Sequence, residues 1–235
     1  MDDYPMRINK YLAHTGVATR RDADALIAAK RIYINGRVAV LGDKVDEGDV
    51  VEMRGKDAKA ATRAYYAYHK PREVVTHSAQ GDDEDISMLL KGELKGLFPV
   101  GRLDKDSSGL VILTNDGRIT DRLLNPKYDH EKEYVVRTKD PLRESFKHYM
   151  EQGVQIEDEM TRPTQVRIMG ERVFSITLTE GKKHQIRRMV VAMHNEVKTL
   201  ERVRVMNITL GKLRPGEARK IEGKELETFL KSLGL

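Results

Sequence analysis

The chain has 235 residues, 39% of them hydrophobic and 34% charged, with no cysteine and a net charge of +5. That balance excludes a disordered chain, a disulfide frame, a thiolate nucleophile and a cysteine-based zinc site. Aliphatic runs are too short for a spanning helix and MDDYPMRINK lacks the apolar core of a signal peptide, so a cytoplasmic protein with no membrane partner is expected, its basic excess favouring a polyanion.

Arg7 to His14 reads as a short helix, with Ile8, Tyr11 and Leu12 on one face and Arg7, Lys10 and His14 on another. Gly16 stops it. Thr19 then reads as an N-cap, with Asp22 as a weak capping box, for a helix that turns Ala23, Leu26 and Ile27 inward. Arg20 and Arg21 stand at its start, where the helix dipole disfavours positive charge, which suggests a role outside the fold. Residues 31–34 and 37–40 flank Asn35-Gly36, a strong hairpin signal.

Between Arg7 and Arg37 there are seven Lys or Arg against two acids. That density fits a solvated surface or a phosphate-binding face. MRINKYLAHTGVATRRDADALIAAKRIYINGRVA resembles the αL RNA-binding domain of ribosome-associated proteins and tyrosyl-tRNA synthetases. The resemblance implies RNA contact through Arg7, Lys10, Arg20, Arg21 and Arg37, in a domain over residues 1–60.

KDAKAATRA, residues 56–64, has no apolar period and reads as a linker. A second domain is expected over residues 65–235. Strands are expected at 65–69, 110–114, 133–137, 165–169, 173–178 and 203–210, and helices at 119–124, 141–152, 185–193 and 223–233. Their mixture predicts an α+β domain on a largely antiparallel sheet.

Within it, GRLDKDSSGLVILTNDG places Asp104 in a charged loop ahead of an apolar, β-branched strand. A carboxylate there could cap a turn, pair with a cation, bind a metal with Asp106, or react. No Gly-rich loop ends in Gly-Lys-Ser/Thr, and Ser107 and Ser108 lie outside a Gly-x-Ser-x-Gly frame. HEKEYVVRT puts Tyr134 at the head of a strand, and EGKKHQIRRM opens a basic helix in which His184 reads as a capping or hydrogen-bonding residue.

GRLDKDSSGLVILTNDG, KEYVV and GKKHQIRRM, in this order behind an αL domain, resemble the pseudouridine synthases of the RsuA/RluB/RluE/RluF group. The resemblance implies a synthase domain with a mixed, largely antiparallel sheet flanked by helices and a catalytic set of Asp104, Tyr134 and Arg187. It implies that Arg187 pairs with Asp104 and that Arg102 fills the gap left by a flipped-out base, with Lys183 and Arg188 adding RNA contacts. LERVRVMNITLGKLRPGEARKI resembles the RluF-like branch, which modifies large-subunit rRNA. A monomer acting on 23S rRNA, as precursor or assembly intermediate, is expected.

The implied reaction breaks the bond from ribose to uracil nitrogen, turns the base and joins ribose to carbon 5. It needs no cofactor, and none is expected. Asp104 must be ionised, whether it attacks the sugar or assists loss of a ribose proton. Tyr134 can stack on the freed uracil and help take the carbon 5 proton. A uridine in folded RNA must flip out to reach such a pocket. A small-subunit 16S rRNA synthase, and a non-catalytic RNA-binding or ribosome-assembly protein, are the alternatives; the latter has no use for Asp104, Tyr134 and Arg187 together.

Overall fold

A computed structural model describes residues 4–15, 17–18, 20–54, 63–76 and 84–235, without the side chain of Arg21. The helix stop at Gly16, the cap at Thr19, the Arg21 contact and residues 56–62 of the expected linker therefore lie outside the described residues.

The N-terminal unit runs β1 (Met6–Arg7), α1 (Ile8–His14), α2 (Arg20–Ala28), β2 (Ile32–Ile34), β3 (Arg37–Val38), β4 (Lys44–Val45) and β5 (Val51–Met53). Ile8, Leu12, Ala23, Ile27, Ile32, Ile34, Ala39 and Val45 form its core. Asn35 and Gly36 both adopt positive φ, 50° and 80°, as a two-residue hairpin turn with the right-handed strand twist requires. Asn35 acts twice, since its amide also donates to Asp49 at 2.7 Å and accepts from the Val50 N–H at 2.9 Å.

The rest of the chain folds around a nine-stranded sheet. Its strands are β6 (Tyr65–Lys70), β7 (Phe98–Val100), β8 (Ser108–Thr114), β9 (Lys132–Thr138), β12 (Gln165–Gly170), β13 (Val173–Leu178), β14 (Val197–Val205), β15 (Ile208–Thr209) and β16 (Ala218–Lys220). The order is β12-β13-β9-β14-β8-β6-β16, with β7 on β8 and β15 on β14. Only the β14–β8 pair is parallel among these, so the sheet is mixed and largely antiparallel. The helices are α3 (Ile86–Leu89), α4 (Arg118–Leu124), α5 (Phe146–Gln152), α6 (Gln185–Ala192) and α7 (Gly223–Ser232), and a small hairpin, β10 (Gln155–Ile156) with β11 (Glu159–Met160), follows α5.

Pleating divides the side chains of β6 and β8 between two cores. Tyr65, Ala67, Leu110 and Ile112 pack with Ile119, Leu123 and Phe229 of α4 and α7. Tyr66, Tyr68, Val111 and Leu113 pack on the other side with Ile86, Leu97 and Leu103. Both faces being covered, every residue of β6 is buried, and its sequence shows no alternation. A third core joins β9 and β13 to α5 and α6 through Val136, Phe174, Ile176, Met150, Met189 and Val190.

Two expected elements differ. Residues 203–210 do not form one strand: β14 ends at Val205, Met206 turns with φ 52°, and β15 folds back antiparallel. The helix expected from Pro141 begins at Phe146, because the Leu142 N–H is bonded to the Glu171 carbonyl at 2.7 Å in the turn between β12 and β13.

Candidate active site

Asp104 lies in the loop between β7 and β8, where a tight turn is closed by the Ser107 N–H donating to the Asp104 carbonyl at 3.0 Å. This loop is fastened from below. Thr76 Oγ1 donates to the Leu103 carbonyl at 2.7 Å and accepts from the Leu103 N–H at 3.0 Å. Lys70, fully buried at the end of β6, donates through Nζ to the carbonyls of Pro71 (2.8 Å), Val74 (2.6 Å) and Lys105 (3.4 Å). Arg202 on β14, also buried, donates to the Leu110 carbonyl at 2.7 Å and the Arg102 carbonyl at 3.3 Å.

Gly109 makes that approach possible. It pairs with Arg202 in the parallel register, and a Cβ on it would lie 2.3 Å from the Arg202 carbonyl oxygen; its φ of 112° is likewise a glycine conformation. Tyr134 on β9 is the other cross-strand neighbour of Arg202, so Tyr134, Arg202 and Gly109 form a row across three strands beneath the loop. Tyr134 is partly buried and packs against the core that contains Leu103.

The carboxylate of Asp104 is 38% exposed, and its Oδ1 lies 3.5 Å from Nε2 of His184, the residue preceding α6. Arg187, one turn into α6, does not take the partner implied by the resemblance. Its Nη2 pairs with Asp106 Oδ2 at 2.9 Å and donates to Ser107 Oγ at 3.0 Å, while its Nε is buried with no acceptor among the described residues. The long guanidinium reaches across the turn to Asp106, and the shorter imidazole, on the left-handed residue just ahead of the helix, meets Asp104. Burial pushes the Lys70 ammonium down to about 8, and the carboxylates of Asp104 and Asp106 act against that fall.

Arg102 is exposed and forms no ion pair among the described residues. Lys183 is exposed beside His184, and Arg188 pairs with Glu157 of the β10–β11 turn at 2.5 Å. Lys182 pairs with Glu159 of the same hairpin. In the N-terminal unit Arg7 and Arg20 are exposed and Lys10 is partly exposed, whereas Arg37 is occupied by Asp43 at 2.9 Å. Lys70, Thr76 and Arg202 were not legible as parts of this site. The available signal was a lysine closing the apolar run YYAYHK and an arginine alternating through LERVRV, both unusual on a central strand.

Residues 64–192 match the family described as RNA pseudouridylate synthase, and residues 6–51 match the S4 domain. The dual-specificity RNA pseudouridine synthase RluF of Escherichia coli is 38% identical over 98% of this chain and 80% of its own length. The ribosomal large subunit pseudouridine synthase B of Bacillus subtilis is 33% identical over 94% of each chain, and the ribosomal small subunit pseudouridine synthase A of Vibrio parahaemolyticus is 34% identical over 95% of this chain and 99% of its own. A crystal structure of a pseudouridylate synthase, 29% identical, superposes with a TM-score of 0.70 over 97% of this chain and 99% of that one.

Proposed function

The chain belongs to the RNA pseudouridylate synthase family, and from that premise we propose that it isomerises uridine in ribosomal RNA, in the large subunit, with Asp104 as the reacting carboxylate. The observation that carries this reading is the setting of Asp104: a partly exposed carboxylate on a loop whose backbone is held by Lys70, Thr76 and Arg202. A group held this rigidly is already oriented for a reacting sugar, so little order is lost when substrate arrives.

Asp104 either bonds to the ribose carbon as the uracil leaves or takes a ribose proton; both require the anion. Arg187 serves this step through Asp106 and Ser107, holding the far side of the turn. Tyr134 offers a ring for the freed base and a hydroxyl for the carbon 5 proton. Arg102, exposed within the loop, offers a planar cation suited to stack into the vacancy left by a flipped base. Whole-chain identity is nearly equal toward the large- and small-subunit relatives; the likeness of residues 200–221 to the RluF-like branch favours the large subunit.

The test is to incubate the protein with 23S and 16S rRNA transcripts and map pseudouridine by carbodiimide-dependent primer extension. Product is expected in 23S rRNA and is expected to vanish with Asp104→Asn, which keeps the side-chain shape but cannot act as nucleophile or base. Product confined to 16S rRNA overturns the subunit assignment, and turnover by the variant overturns the role of Asp104.

A further inference from the structure

We propose that His184 is a positioning residue for Asp104, presenting Nε2 to carboxylate oxygen Oδ1 so that Oδ2 is left to face the sugar. This inference rests on the reading of Asp104 as the reacting group. Its first support is contact: Nε2 of His184 lies 3.5 Å from Oδ1 of Asp104.

The second support is the backbone. His184 has φ 51° and ψ 29°, a left-handed conformation uncommon outside glycine and carrying a strain cost. Burial does not explain its retention, because the side chain is 49% exposed. The turn is nonetheless locked around it. Gln185 is buried, its Oε1 accepts from the Lys182 N–H at 3.0 Å, its Nε2 donates to Glu180 at 2.7 Å, and its N–H reaches the Lys182 carbonyl at 3.2 Å. These bonds fix the direction in which the His184 side chain leaves the turn.

The third support is the pairing with Arg187. His184 stands just ahead of α6 and Arg187 in its first turn, and they meet the same loop at Asp104 and at Asp106 with Ser107. One helix end thus grips the loop at two points, and the orientation of Asp104 is tied to a rigid element.

His184→Gly separates this role from folding, since glycine adopts the left-handed backbone freely and removes only the imidazole. On a 23S transcript carrying tritium at uracil carbon 5, whose release reports turnover, kcat is expected to fall about tenfold, the equivalent of about 1.4 kcal/mol of lost positioning in the transition state. KM is expected to change little and the melting temperature not to fall. His184→Gln, which keeps an N–H donor, is expected to recover most of kcat. Wild-type kcat in the glycine variant, a loss confined to KM, or glutamine no better than glycine would each overturn the inference. Asp104→Asn, assayed alongside, distinguishes the failures: turnover there removes the underlying reading, whereas an inactive Asp104→Asn beside a fully active His184→Gly removes only the role of His184.

Discussion

Lys70 is the most heavily constrained single side chain around the loop. Its ammonium is fully buried, and among the described residues it donates to three backbone carbonyls, those of Pro71, Val74 and Lys105. Burial lowers it from 10.5 to about 8. Between those pH values the unfolded chain binds the additional proton, so folding stability gains as pH rises through the window, and below about 8 the full cost of the buried charge is present. Lys70→Met removes both that dependence and three hydrogen bonds. It is expected to destabilise the protein by about 1–3 kcal/mol at pH 7, through the carbonyls left without a donor. The difference in stability between wild type and Lys70→Met, followed by urea unfolding, should grow from pH 8 to pH 10.5; a flat difference would mean that burial leaves Lys70 unperturbed.

At the scale of elements, the β10–β11 hairpin and α6 oppose each other in charge. Glu157 holds Arg188 and Glu159 holds Lys182, and a cavity of about 310 Å³ lies between the hairpin and the helix, reaching His184 and Arg187. The two carboxylates are more than two-thirds exposed, so their pairs are screened by water and contribute little to folding. Their effect falls on RNA, because they occupy the cations that phosphates would otherwise meet. Glu157→Gln with Glu159→Gln is expected to leave the melting temperature nearly unchanged while tightening binding to a 23S fragment. The slope of log K against log salt should steepen by roughly 0.7–0.9 per freed cation that meets a phosphate. Filter binding at several salt concentrations reads both quantities, and unchanged affinity would place the RNA path elsewhere.

Across the whole molecule, the N-terminal unit touches the synthase domain at the turn after β8. The Gly117 N–H donates to the Ala13 carbonyl at 3.0 Å, and a Cβ at Gly117 would lie only 2.4 Å from that oxygen. This joins α1 to the strand that leads away from the Asp104 loop. The S4-like N-terminal unit is expected to supply affinity for RNA while the synthase domain supplies chemistry. Replacing Arg7, Lys10 and Arg20 together by Gln should weaken RNA binding and flatten its salt dependence by roughly 0.7–0.9 for each phosphate that is no longer neutralised. Turnover at saturating RNA should persist. A variant that binds normally but turns over slowly would reverse the division.

What the chain declares on its own is local. Asn35-Gly36 specifies a hairpin turn because only residues tolerant of positive φ close it, and the run 110–114 reads as strand because its side chains suit a pleated, buried surface. The position of Asp104 ahead of that strand, Tyr134 on β9 and the start of α6 were legible for the same reason. Partnership was not. Arg187 lies 81 residues from Asp106 and 80 from Ser107, and which carboxylate it meets depends on how α6 docks against the sheet. Asp116 reads as an ordinary turn residue, yet it is fully buried: burial opposes its charge, and the hydrogen bonds from Arg118 and Tyr65 outweigh that and keep its carboxyl below the usual range. Lys70 and Arg202 likewise become parts of the site only because two strands bring them under one loop. Backbone preference acts between near neighbours and leaves a periodic trace, whereas an ion pair or a buried charge is settled by whichever side chains packing makes adjacent, and the one-dimensional pattern holds no record of that choice.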